Sequence, residues 1–377
     1  MKQIVKIGAD VGNDALKIYM DKANFEGRNK LEVMNLVAPG YKRRIIGSET
    51  GHLSNLLDVN IEADGEKLGR FFVGGLAFKE NRNDLLEKTK RDIKAKNIDT
   101  IILLVTGLAY SLYDPSNPIK TEQIALGTLL PTEEYWYDDE DLVEVYGSKL
   151  KRSYTVKFNS PRFNNAEITL NVVEQEIQPE SVAGHLASIY NSDGSLKKGM
   201  KVKNEVHLGI FIGSITTEVS VYEDGEFNSR GFFGIDLGTS DPLDKIITDL
   251  GINMNRHQLD HIIRTGKELK VNVNGQAHDL TDKLTRVKDS RFNYFTRQLV
   301  NNINKKLSEQ GINPSLITKV NLGGGGAITT FDSFKKEIGL ANVNLVEDAR
   351  FANALGALLS IIAKGNEQEV AADEVLG

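Results

Sequence analysis

Ile7-Gly8-Ala9-Asp10-Val11-Gly12-Asn13-Asp14 is the stretch whose reading decides the fold. An apolar run of strand type breaks at Asp10-Val11-Gly12, and a second run starts at Ala15. Residues 3–9 and 15–20 therefore read as two strands of a hairpin. A similar turn recurs far downstream in Gly209-Ile210-Phe211-Ile212-Gly213-Ser214-Ile215-Thr216-Thr217-Glu218. A third apolar run ends in four glycines, in Val320-Asn321-Leu322-Gly323-Gly324-Gly325-Gly326-Ala327.

Composition bounds what these turns serve. A chain of 377 residues is long for one core and suits two domains. Its 40% hydrophobic and 26% charged residues are ordinary for a globular protein. A net charge of -6 argues against direct capture of DNA, which needs a basic surface. The absence of cysteine excludes disulfides, zinc–thiolate sites and thiol catalysis, and makes a reducing cytoplasm the expected compartment. Met1 to Lys6 is too short and broken for a signal peptide, and no apolar run approaches the ~20 residues that span a bilayer, so no membrane is expected.

Outward from the first turn, Arg70 to Gly74 reads as a strand and Asn83 to Ala95 as a charged helix. Thr100 to Val105 lacks polar alternation and reads as a buried central strand that ends in a loop at Thr106-Gly107. The acidic, aromatic stretch 133–147 reads as an exposed loop or insertion. Strands are expected at 154–158 and 168–173, then a helix from Glu180 to Tyr190 behind Pro179. The second half repeats this logic. Three strands (206–212, 217–222, 227–235) precede a helix from about Asp241 and a polar excursion at 255–283 with an Asn274-Gly275 turn signal. A long helix at about 285–310, a strand at 317–322, a helix near 330–338, a short strand at 343–346 and a helix at 351–363 complete the pattern. The tail 365–377 is acidic and polar and reads as disordered.

The three glycine-bearing segments suit a nucleotide. A tight turn presents backbone N–H groups to phosphate oxygens, and Gly12 allows close approach. Asn13 adds a donor, and Lys17 on the next strand adds a point charge. Asp10 is placed to hold waters on Mg²⁺, which keeps most of its hydration shell. Taken alone, the first turn also reads as a structural hairpin with a capping Asp. Gly213-Ser214 followed by Thr216 and Thr217 puts hydroxyls just past a strand at an equivalent turn; alone, a Thr run in a strand also reads as structural, and the two matching turns together strengthen the nucleotide reading. Gly323, Gly324, Gly325 and Gly326 present bare backbone between a strand and a helix, where an adenine or ribose fits; the run also reads as a flexible helix-entry loop. They do not spell a Walker loop, because no Lys-Ser or Lys-Thr follows. His257 and His261 have a metal-compatible spacing without a third ligand and read as ordinary surface histidines.

Taken together, the order resembles the actin and sugar-kinase ATPase superfamily. The two turns correspond to its phosphate motifs and the glycine run to its adenosine motif. Pro179-Glu180-Ser181 and Ala352-Asn353-Ala354-Leu355-Gly356-Ala357 resemble its two connecting motifs, whose small residues let two helices cross closely. Size, the 255–283 excursion, Phe72 to Ala77 and Val105 to Leu108 most resemble the plasmid-segregating bacterial actins, the ParM-like group. The resemblance implies an α/β, two-domain actin-like ATPase fold with ATP and Mg²⁺ in a cleft between duplicated domains. Those domains would be residues 1–180, with a small insertion at about 40–98, and 181–364, with a small subdomain at 255–283. It implies that Asp10, Gly12, Asn13 and Lys17 serve the phosphates and Mg²⁺ and that Glu180 orients the attacking water; by itself Glu180 also reads as a first-turn acid that favours the helix dipole. It further implies ATP-driven head-to-tail filaments, with an adaptor protein on centromere-like plasmid DNA as partner. Phe211 stands where the family's second turn carries Asp, and Glu218 is the nearest compensating carboxylate, a possible second metal ligand. Two alternatives follow. One is a small-molecule kinase, with Asp236 in Ile235-Asp236-Leu237-Gly238 as the suggestive acid. The other is a non-hydrolysing, ATP-gated scaffold, favoured by Phe211.

Overall fold

The computed structural model describes residues 4–45, 49–80, 93–137, 139–273, 276–338 and 342–376. The chain forms two compact units, Met1–Lys197 with Asn353–Gly377, and Lys198–Ala352. The division thus falls later than residue 180, and the last helix returns to the first unit.

In the first unit, β1 (Val5–Val11) and β2 (Ala15–Met20) form the expected hairpin, with Asp10 opposite Lys17. The unit continues through β3 (Lys30–Met34), β4 (Val37–Pro39), β5 (Leu57–Ala63), β6 (Glu66–Val73) and α1 (Gly75–Glu80). Next come α2 (Ile98–Leu112), β7 (Ile119–Leu130), α3 (Thr132–Tyr135) and α4 (Leu142–Leu150). Then follow β8 (Ser153–Phe158), β9 (Glu167–Pro179) and α5 (Glu180–Ile189). The strands make one nine-stranded sheet, β3-β2-β1-β7-β9-β8-β5-β6-β4. β1, β7 and β9 run parallel within it, and α2 provides a crossover from the opening hairpin to β7. Ile7, Leu16, Ile18, Leu103, Leu104 and Leu126, all fully buried, belong to the core of this unit.

The second unit opens with β10 (Val206–Ile212) and β11 (Thr217–Glu223). Two short strands, β12 (Glu226–Phe227) and β13 (Phe233–Ile235), both pair with β11 where the sequence suggested one long strand. After them come α6 (Ser240–Leu250), α7 (Arg256–Thr265), β14 (Lys270–Val273), β15 (Gln276–Asp279) and α8 (Thr281–Glu309). β16 (Lys319–Gly323), α9 (Gly325–Ile338) and β17 (Val343–Leu345) close the unit, and α10 (Ala352–Leu376) follows. Its main sheet has the order β12-β11-β10-β16-β17. The β3-β2-β1-β7-β9 order of the first unit is thereby repeated. β14 and β15 form the hairpin expected in the 255–283 excursion, although Asn274 and Gly275 themselves lie outside the described residues.

Three expectations are corrected. Thr100 to Val105 is not a strand but the start of α2, and Thr106-Gly107 is helical rather than a loop. Every residue from Thr100 to Ser111 is buried, so no helical periodicity shows in the sequence. The legible sign was the cap: Asn97 accepts a hydrogen bond from the Asp99 N–H at 2.9 Å. Stretch 133–147 is not an open loop but carries α3 and most of α4. Asp141 caps α4, and Leu142, Tyr146 and Leu150 recur every four residues as its buried face. The stretch read as a disordered tail has helical backbone to Leu376; it is rich in Ala, Glu and Val and lacks Pro. Most of the helix expected at Asn83 to Ala95 lies outside the described residues.

Candidate functional site

The first turn is closed by a hydrogen bond from the Gly12 N–H to the Ala15 carbonyl, 3.1 Å. Asn35 secures it by donating to the Gly12 carbonyl at 2.7 Å. Gly12 leaves room for the Lys17 head, since a Cβ there would lie 3.1 Å from Lys17 Nζ. Lys17 is buried, with Nζ 3.8 Å from Asp10 Oδ2 across the hairpin. Asn13 is half-buried at the tip. Asp10 is buried, and its Oδ1 has no hydrogen-bond partner among the described residues. Burial pushes the Asp10 carboxyl above its usual pKa, Lys17 opposes that shift, Glu180 adds to it, and Lys94 opposes it.

Glu180 is where the sequence placed it, at the start of α5 directly after Pro179 ends β9. Its Oε1 is ion-paired with Lys94 Nζ, and both side chains are nearly buried. Burial opposes the Lys94 charge, but Glu180 and Asp10 more than offset it and hold the ammonium above the ordinary lysine range. Sequence reasoning missed Lys94. It is one of several lysines in a charged stretch, and nothing in their spacing marks it out.

In the second unit the turn has the same register. The Gly213 N–H donates to the Thr216 carbonyl at 2.8 Å, and Phe211 pairs with Glu218 as Asp10 pairs with Lys17. Glu218 thus occupies the register position of Lys17, and Phe211 that of Asp10. The turn is braced from the entry to α6. Thr239 and Ser240 donate backbone N–H groups to the carbonyls of Gly213 (3.1 Å) and Ser214 (2.7 Å). Thr217 Oγ1 donates to the Leu237 carbonyl at 2.8 Å, which spends its hydroxyl inside the unit. Asp236 is exposed next to this brace.

Most of the glycine run is explained by packing within its own unit. Gly323 lies under the Phe211 ring, where a Cβ would come within 2.5 Å. Gly324 has φ +83° and would place a Cβ 2.4 Å from the Ile212 carbonyl oxygen. Gly326 abuts Ile212 and Thr239. Gly325, the first residue of α9, is the open member: among the described residues a Cβ there would meet only the Arg350 guanidinium, at 3.0 Å.

Glycines also bring the two connecting helices together inside the first unit. A Cβ at Gly356 of α10 would fall 1.8 Å from the Ala183 carbonyl oxygen of α5. Gly8 and Gly127 lie equally close to the α10 backbone at Ala354 and Ala357. Among the described residues no cluster of three or more His, Cys, Asp or Glu suited to a metal occurs, and His257 and His261 form none. No described helix is long and apolar enough to cross a membrane.

No protein-family model matches the chain, and neither does any curated protein. Solved structures do. The actin-like protein Alp7A is 19% identical, with a TM-score of 0.78 over 99% of this chain and 100% of its own. ParM of Bacillus thuringiensis, solved with ATP, is 17% identical, with a TM-score of 0.69 over 97% and 100%. A non-polymerisable quadruple mutant of pCBH ParM is 19% identical, with a TM-score of 0.69 over 94% and 98%. The chain has the two-domain α/β actin-like fold.

Proposed function

We propose that this chain is an ATP-binding, filament-forming ATPase of the bacterial-actin type. The observation that carries the reading is Asp10 Oδ1, a buried carboxylate oxygen with no donor among the described residues, beside Lys17 and a glycine turn. Such an oxygen is costly to bury unless a ligand completes it. A hydrated cation on a polyphosphate does so, and the solved ParM of B. thuringiensis with ATP supports that choice. Mg²⁺, when bound, would neutralise phosphate charge and aid departure of the leaving oxygen. Asp10 would hold its waters, the backbone of Gly12 and Asn13 would face phosphate oxygens, and Lys17 would supply a point charge. Gly213, Ser214 and Thr216 would take phosphate from the second unit, and Gly325 would face the adenosine. Glu180 would accept a hydrogen bond from the attacking water.

Phe211 takes the register place of Asp10, so the second turn offers only Glu218 as an acid. That favours slow hydrolysis, and in the limit a nucleotide-gated scaffold. The non-polymerisable variant of pCBH ParM supports assembly as the output. An adaptor carrying centromere-like plasmid DNA would be the cellular partner in the cytoplasm, with DNA contact indirect.

Thermal melting with Mg-ATP tests the site. Ligand about a thousandfold above its dissociation constant raises stability by about 4 kcal/mol. An unchanged melting curve at saturating Mg-ATP removes the nucleotide reading. Phosphate transfer to a sugar panel, without polymer, would favour the kinase alternative with Asp236 as its acid.

A further inference from the structure

One member of the first charge cluster is not needed for the turn to hold a nucleotide. Lys94 is nearly buried, a costly place for an ammonium. Its position is built. The backbone N–H groups of Lys94 and Ala95 donate to the two carboxylate oxygens of Glu134, at 3.0 and 3.1 Å, and Glu134 is itself buried. Lys149 Nζ donates to the carbonyls of Ala95 (2.8 Å) and Lys96 (3.1 Å). Charged side chains from α3 and α4 thus hold the turn that carries Lys94, and the Lys94 ammonium meets Glu180 Oε1.

We propose that Lys94 is a positioning residue for hydrolysis: it fixes the Glu180 carboxylate through Oε1 and leaves Oε2 to take the attacking water. This rests on the reading of Glu180 as the water-orienting group. An unrestrained glutamate samples several rotamers, and its terminal torsion is broad. Fixing one oxygen restricts that freedom, and a misplacement of about 1 Å can cost about a hundredfold in rate.

The full chain is compared with Lys94→Met, Lys94→Arg, Glu180→Gln and the Lys94→Met/Glu180→Gln double variant. Phosphate release at saturating Mg-ATP, the dissociation constant for ATP, and the melting temperature without nucleotide are measured. Lys94→Met should release phosphate about 10- to 100-fold more slowly, with the dissociation constant changed less than about threefold. Lys94→Arg should recover part of the rate. Without nucleotide, Lys94→Met should melt about 10 °C lower, because it strands buried carboxylates. The double variant should regain most of that loss and be no slower than Glu180→Gln alone. Wild-type turnover in Lys94→Met, or a loss lying wholly in ATP affinity, overturns the proposal. Should Lys94→Met fail to fold, Glu134→Gln replaces it: one amide oxygen cannot serve both N–H groups as the carboxylate does, so turnover should fall more mildly with affinity kept, and unchanged turnover overturns the proposal. A wild type that binds ATP but releases no phosphate refutes the role of Glu180 itself, a result distinct from an unaffected Lys94 variant.

Discussion

Asp10 carries a structural burden and, on the proposed function, a chemical one. Burial opposes its ionised form, and Lys17 at 3.8 Å is too distant for a strong hydrogen bond. A ligand that completes its coordination therefore gains most at this atom. Asp10→Ala should lose the gain rather than the fold. If its dissociation constant for Mg-ATP rises about a hundredfold, stabilisation at the same ligand concentration falls from about 4 to about 1.4 kcal/mol. Each variant is compared with its own nucleotide-free melt, so that any change in the unliganded protein cancels, and an equal gain in both would remove Asp10 from the site. The hairpin that carries Asp10, Gly12 and Lys17 was legible because the break in the apolar run marks its turn. Lys94 was not, because its role comes from contacts with Glu134 and Glu180, 40 and 86 residues away in sequence. The consequence of Phe211 was half legible. The missing carboxylate could be read from the turn, whereas its packing on Gly323 depends on strand pairing.

At the scale of elements, glycines do two kinds of work. Gly324 is held at φ +83° against the Ile212 carbonyl, so Gly324→Val should damage the second unit whether or not adenosine binds there. Gly325→Ala is the sharper probe. It should leave the melting temperature without nucleotide within a degree or two of wild type, by an estimate of about 0.5 kcal/mol or less, and weaken ATP binding. Unchanged affinity would detach the glycine run from the nucleotide. The α5–α10 crossing gives the opposite expectation. Gly356→Ala puts a methyl group 1.8 Å from a backbone oxygen, so the helices must separate. A loss of about 3 kcal/mol, or roughly 10 °C in the melt, is expected from such overpacking. A neutral result would mean that α10 shifts freely on α5. The small residues of this crossing were readable in the sequence, whereas α2 was not. A helix buried all round has lost the polar face that reveals its period, and only the Asn97 cap remained to distinguish it from a strand.

Across the whole molecule, the repeated strand order and the matching register of Asp10–Lys17 with Phe211–Glu218 describe a duplicated design whose halves have diverged in charge. The duplication was legible because each half opens on its own strand–turn–strand. The division of the chain was less so, since α10 joins the first unit through contacts remote in sequence. On the proposed function, assembly would depend on nucleotide state. Head-to-tail contacts that do not close then give polymer. Pelleting across a concentration series should show polymer above a threshold with ATP and less with ADP. Glu180→Ala should keep ATP affinity, slow phosphate release by about 100-fold or more, and let filaments persist correspondingly longer. The two effects must travel together if hydrolysis is what loosens the contacts. Slow phosphate release with filaments of wild-type lifetime would separate assembly from chemistry, and a chain that stays monomeric with every nucleotide would end the filament reading.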